Sequence, residues 1–151
     1  MTTPSRHPVA FDFFLEVAVI DQLARTEMER VLPEGLTMAS FTLLNHLAHK
    51  GGSDSPARLA SALQVTKGAV TALLKRLEAR RFIALSPHPL DGRGKVVTLT
   101  DEGRLRRDQA VAALDPLLET FLKAFPEPEL AAALPLFRKV RLYLNRRRAE
   151  V

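Results

Sequence analysis

The sequence contains no cysteine, no tryptophan and a single tyrosine among 151 residues. Without a thiol the chain can form no disulfide, no thiolate metal site, no cysteine nucleophile and no thiol redox switch. No apolar run reaches the ~20 residues needed to cross a bilayer as a helix. The opening residues also lack the basic-then-apolar order of a signal peptide, so the expectation is a cytoplasmic protein with no membrane partner. A glycine-rich phosphate loop, a nucleophile elbow and paired catalytic carboxylates are missing too. Nothing in the pattern asks for an enzyme, a cofactor or a metal.

What is present is apolar and basic. Hydrophobic residues make up 46% of the chain, enough for one compact domain or a small domain with helical extensions. The net charge of +5 becomes informative once located. Between Pro56 and Lys95 eight basic residues (Arg58, Lys67, Lys75, Arg76, Arg80, Arg81, Arg93, Lys95) face two acidic ones (Glu78, Asp91), a net +6, while the remainder carries −1. Positive charge gathered in one segment is the footprint of phosphate contacts, because neutralising phosphates releases condensed counterions. A solvated charged surface gives the same count, so charge alone does not decide.

Periodicity supplies the frame, a mainly α chain with a small β-wing. From Phe11 to Leu32 apolar residues occupy nearly every face of a helix, so it must be covered on more than one side, and a partner chain is the favoured cover. Pro33 and Gly35 end it. Thr37 is placed to cap a second helix up to Gly51-Gly52, Pro56 opens a short third helix, and Thr66 caps a fourth. After Arg81 the period becomes alternating, with Ile83 and Leu85 on one strand of a hairpin and Val97 and Leu99 on the other. Thr100-Asp101-Glu102 caps a long helix, and Pro126 and Pro128 open the last one. Pro116 and Pro135 are expected to kink these two helices.

Helices at 56–63 and 66–80 joined by a short turn have the spacing of a helix-turn-helix. A plain helical hairpin with a polar outer face has the same spacing. The next element adds specificity, because its tip reads Asp91-Gly92-Arg93-Gly94-Lys95 and is followed by Leu99-Thr100-Asp101-Glu102-Gly103. With Gly35-Leu36-Thr37, Leu59-Ala60, Val70-Thr71 and Leu77-Glu78 upstream, this pattern resembles the MarR family of winged-helix regulators over most of the chain.

That resemblance implies a homodimeric transcriptional regulator bound to a palindromic double-stranded operator. It implies a DNA-binding lobe at 35–100 between dimerisation helices at 1–34 and 101–151. The residues expected to meet DNA are Thr66, Lys67, Gly68, Thr71, Ala72, Lys75 and Arg76 on the recognition helix, and Asp91, Arg93 and Lys95 on the wing. Arg93 would enter the minor groove, whose narrow stretches concentrate negative potential, and Asp91 would orient it. The family commonly has glycine where this chain has Arg81, and basic residues where it has Leu85 and Ser86. Ala72 replaces a longer polar side chain, which lessens direct base readout.

The resemblance also implies repression relieved by a small aromatic or lipophilic effector, in a pocket to which Phe13, Phe14, Val17, Phe41 and Leu44 could contribute. Ordinary core packing is the other reading of those five, and a ligand-independent regulator is the alternative function. His46 and His49, at i, i+3, would need a third ligand to hold a metal; no cysteine is available and the acidic candidates are unspecific, so partly exposed histidines are the plainer reading. A winged-helix adaptor that binds protein instead of DNA stays open. Arg146, Arg147 and Arg148 suit the negative end of the last helix dipole.

Overall fold

The computed structural model describes residues 3–149 and contains six helices and three short strands among them. In chain order they are α1 (Pro8–Val31), α2 (Met38–His49), β1 (Ser53–Asp54), α3 (Pro56–Leu63), α4 (Lys67–Ala79), β2 (Ile83–Pro87), β3 (Lys95–Leu99), α5 (Asp101–Ala124) and α6 (Glu127–Ala149). The strands form one antiparallel sheet in the order β1-β3-β2.

Four helix starts follow from hydroxyl caps. Thr37, Ser55, Thr66 and Thr100 each accept a hydrogen bond from the backbone N–H three residues on, at 3.0–3.2 Å. Each hydroxyl satisfies one of the amides that a helix start leaves without a partner. Three of these caps are read from the sequence; Ser55 is not. The first helix starts three residues before the expected Phe11, because Pro8 takes a first-turn position where its missing N–H costs nothing.

The core lies in the compact lobe made by α2, α3, α4 and the sheet. Leu43, Leu44, Leu47, Leu59, Val70, Leu77, Ile83 and Val97 are fully buried there. Burying a side chain of this kind contributes about 1.5–3 kcal/mol, so this one cluster dominates the stability of the lobe. Alternation along the hairpin explains its orientation: Ile83 pairs with Leu99 and Leu85 with Val97, turning one face onto α2 and α4.

The long helices behave differently. Neither α1 nor α6 has a single buried residue, and α5 buries only Gly103, Ala110 and Leu114. Exposed large apolar side chains instead line α1 (Phe11, Phe14, Leu15, Val19, Ile20, Leu23), the second half of α5 and the middle of α6 from Leu134 to Leu144. Both helices run unbroken through their internal prolines, Pro116 and Pro135. At Pro116 the Thr120 hydroxyl donates to the proline carbonyl at 3.0 Å.

Candidate nucleic-acid interface

The turn between α3 and α4 is Gln64-Val65, with Gln64 in the left-handed region (φ 57°, ψ 40°) and Val65 N–H donating to Ala60 O at 3.1 Å. This closes α3 and aims α4 outward from Thr66. On α4 the buried set is Val70, Leu73, Leu74 and Leu77, which fixes the opposite face. Gly68, Thr71, Ala72 and Lys75 lie exposed on it, with Lys67 and Arg76 exposed at its edges, beside the cap Thr66. Open space stands before Gly68, where an added Cβ would meet nothing within 4 Å. The Thr71 hydroxyl donates to Lys67 O at 2.8 Å, so it faces outward as a methyl group and an acceptor, with its proton already used.

The wing is built by its own backbone. His88 N–H donates to Gly94 O at 2.9 Å, and Gly94 N–H to Asp91 O at 3.0 Å. The Asp91 carboxylate accepts from the Arg93 N–H at 3.0 Å, an Asx-type turn. Asp91 therefore holds the backbone of Arg93, and among the described residues it makes no ion pair with any guanidinium. The Arg93 and Lys95 side chains are exposed at the tip. His88 Nδ1 accepts from both Leu90 and Asp91 N–H at 3.2 Å, a loop-building role the sequence does not announce. Glu78 Oε2 accepts from Leu85 N–H at 3.3 Å and joins the end of α4 to the first wing strand.

The link from wing to α5 explains the Leu-Thr-x-x-Gly pattern. Thr100 caps α5, and its hydroxyl also lies 2.6 Å from Arg81 O. A Cβ on Gly103 would fall directly against the Phe82 carbonyl, so only glycine lets α5 start this close to the sheet. Arg81, where the family commonly has glycine, keeps the conformation that glycine favours, with φ 61°. The Arg106 guanidinium covers the Phe82 ring at 5.5 Å.

Within the single chain the five expected pocket residues are not gathered into one cavity. Leu44 is fully buried in the lobe core, Phe41 packs on that core's edge, and Phe14 is half-exposed. Phe13 stacks on Phe137 with ring centroids 6.4 Å apart, and it alone of the five lines an apolar hollow of about 640 Å³ between the start of α1 and α6. The periodicity of a helix places residues on faces but does not say which face meets which lobe.

The two histidines of α2 also separate. His49 Nδ1 lies 2.8 Å from Asn45 O, whereas His46 Nε2 lies 3.0 Å from the Asp54 carboxylate on β1. Burial pushes the Asp54 carboxyl up, but hydrogen bonds from His46 and Ser55 N–H, with the nearby His46 and Arg58 charges, outweigh it and leave it below the ordinary carboxylate range. Arg107 of α5 donates twice to Asn45 Oδ1, at 3.0 and 2.8 Å, tying α5 to α2.

No described helix is long and apolar enough to cross a membrane. The sequence model of the MarR family matches residues 34–94, the span from the end of α1 to the wing tip. The HTH-type transcriptional repressor NicR of Pseudomonas putida is 32% identical over 70% of this chain and 66% of its own length. Among solved structures, a mutant MarR from E. coli complexed with operator DNA is 25% identical, with TM-score 0.79 over 90% of this chain and 98% of that one. Bordetella bronchiseptica BpsR, whose DNA binding is regulated by 6-hydroxynicotinic acid, is 26% identical, with TM-score 0.71 over 87% of this chain and 98% of its own. A capped recognition helix, a glycine-flanked arginine wing and a glycine-tight start to α5, matched by relatives across nearly the whole fold, place this chain in the MarR family of transcriptional regulators.

Proposed function

We propose that two copies of the chain form a repressor that reads a palindromic operator, with α4 in successive major grooves and the wings in the flanking minor grooves. The observation that carries this is the outer face of α4. Its polar and small residues stand exposed beside a wing whose Arg93 backbone is pinned and whose side chain is free. The proposed contacts are Thr66, Lys67, Gly68, Thr71, Ala72, Lys75 and Arg76 from α4 and its cap, with Asp91 as support for Arg93 and Lys95. The lobe is 35–100, and the segments 1–34 and 101–151 bring two lobes together. A two-fold dimer sets half-sites about 34 Å apart, one helical turn of DNA.

Repression follows the reading of NicR, and control by a small aromatic acid follows that of BpsR. A ligand-independent regulator is the second reading, favoured by the dispersal of the five expected pocket residues within one chain.

Selection of bound DNA from a random pool, followed by titration of the winning duplex, tests the proposal. A palindrome should emerge. Thr71→Ala should relax preference at particular base pairs, whereas Lys75→Ala should weaken selected and random DNA more evenly. Equal losses for both variants on every sequence would overturn the assigned face of α4. Adding 6-hydroxynicotinic acid or another aromatic acid to the complex then separates the effector-released repressor from the ligand-independent one.

A further inference from the structure

We infer that the C-terminal end of α6 positions the recognition helix: Arg148 and Asn145 clasp Gln64 and Val65, and so set the orientation in which α4 is presented. The inference rests on the DNA-binding reading above and adds residues from outside the lobe to it.

Gln64 and Val65 are the turn that launches α4, since the next residue, Thr66, is its cap. Arg148 Nη1 donates to Gln64 Oε1 at 2.9 Å, and Nη2 donates to Val65 O at 2.8 Å. Gln64 Nε2 in turn donates to Asn145 Oδ1 at 2.8 Å and to Ser61 O at 2.7 Å. One guanidinium fork thus holds both residues of the turn from a helix more than 80 residues away in sequence. A non-glycine residue at φ 57° persists where its surroundings hold it, and here α6 adds three hydrogen bonds to those the turn makes to Ala60 O and Ser61 O.

The clasp is also how α6 grips the lobe. Since α6 has no buried residue, no apolar wedge fixes it there. Among the described residues, the hydrogen bonds between α6 and the lobe are these three. Both acceptors of Arg148 are neutral, so its charge is not cancelled, and direct contact with a DNA phosphate is the rival role. The two roles separate chemically. Lysine keeps the charge but cannot reproduce a planar two-pronged donor.

The test uses the full-length dimer and its selected operator, with Arg148→Ala, Arg148→Lys and Asn145→Ala, the last removing one bond and no charge. Circular dichroism and sedimentation establish that each variant is a folded dimer. Both Arg148 variants should weaken operator binding about tenfold and Asn145→Ala about threefold, with affinity for random-sequence DNA and the Arg148→Lys salt slope kept at the wild-type value. A readout without DNA uses the absence of native cysteine. A spin label attached through Ala79→Cys, on the exposed side of α4, measures the distance between the two lobes, and its distribution should broaden in all three variants.

Wild-type operator affinity in the Arg148 variants overturns the inference and leaves the DNA-binding reading intact. So does a variant in which Arg148→Lys binds like wild type while Arg148→Ala has a shallower salt slope, the signature of a phosphate contact. Weaker binding with an unchanged distance distribution likewise assigns Arg148 to the DNA and overturns positioning. A wild-type protein that selects no operator overturns both readings.

Discussion

Gly103 and Arg81 show two different backbone demands for glycine, a close approach and a left-handed φ, of which only the first is met by glycine. Gly103 is required by contact, because a methyl group there would strike the Phe82 carbonyl. Arg81 sits at φ 61°, where a side chain is tolerated at a cost of about 1–2 kcal/mol. Replacing Arg81 with glycine should therefore stabilise the protein by ~1 kcal/mol or slightly less, since glycine also loses more chain entropy on folding. Gly103→Ala should destabilise it by about 2 kcal/mol or more, because a backbone carbonyl cannot step aside as a side chain can. Thermal unfolding checks both, and a lower melting temperature for Arg81→Gly would contradict the first. The departure at Arg81 is visible in the sequence only as a difference from family habit; its physical meaning needs the dihedral angle.

Asp54 supplies a pH dependence at the same scale. Its carboxyl is held below its ordinary range, so near and below about pH 4 the unfolded chain binds more protons at this site than the folded one. The stability it contributes is complete above that pH and is lost as acid protonates it in the native state. Asp54→Asn should lower stability at neutral pH and flatten its fall in acid. Urea unfolding of both proteins at several pH values decides this, and parallel profiles would count against the His46–Asp54 pair as the source. The pairing was not legible beforehand. His46 reads as half of an i, i+3 pair with His49, while its partner lies on a strand of only two residues.

At the scale of elements, the helices were legible where a hydroxyl preceded an apolar periodic run, as at Thr37, Thr66 and Thr100. The wing was legible from alternation bounded by glycine and proline. β1 was not, because its two residues carry no period and exist as a strand only through pairing with β3, while the adjacent Gly52 reads simply as a break. Gly52 O in fact accepts from Leu99 N–H at 2.7 Å and continues that pairing. The wing yields the sharpest element-level prediction. Arg93→Ala removes an exposed side chain and should change stability by no more than about 0.5 kcal/mol. Binding should respond instead. A dimer loses two arginines, and if each neutralises one phosphate the slope of log affinity against log salt should become shallower by about 1.8. Asp91→Ala should produce a smaller effect, since it frees the Arg93 backbone and removes no positive charge. A salt titration with an unchanged slope and affinity for Arg93→Ala would take the wing out of the interface.

At the scale of the molecule, one chain is visibly incomplete. The lobe buries its apolar residues, yet α1 and α6 bury none, and Phe14, Leu23, Phe121 and Phe137 stand 45–61% exposed on the long helices. An apolar surface spread over three helices is not a stable solvent face for a monomer, and in the proposed dimer a second copy covers it under two-fold symmetry. The sequence showed this as a first helix apolar on too many sides. What it left out was the division of labour, since only the structure shows that α1 gives nothing to the lobe core. The consequence can be measured with Phe14→Glu. The side chain is half-exposed in the single chain, so the lobe should fold with glutamate present, whereas in the dimer an unpaired carboxylate would be buried. Dimerisation should weaken by at least about 100-fold, equivalent to ~2.7 kcal/mol. Operator affinity should fall further than any single DNA contact could explain, because a monomer engages one half-site and loses the high effective concentration of its second reading head. Sedimentation of both proteins across micromolar concentrations reports the first effect and titration of full and half operators the second. A Phe14→Glu protein that stays dimeric would show that α1 does not form the subunit interface.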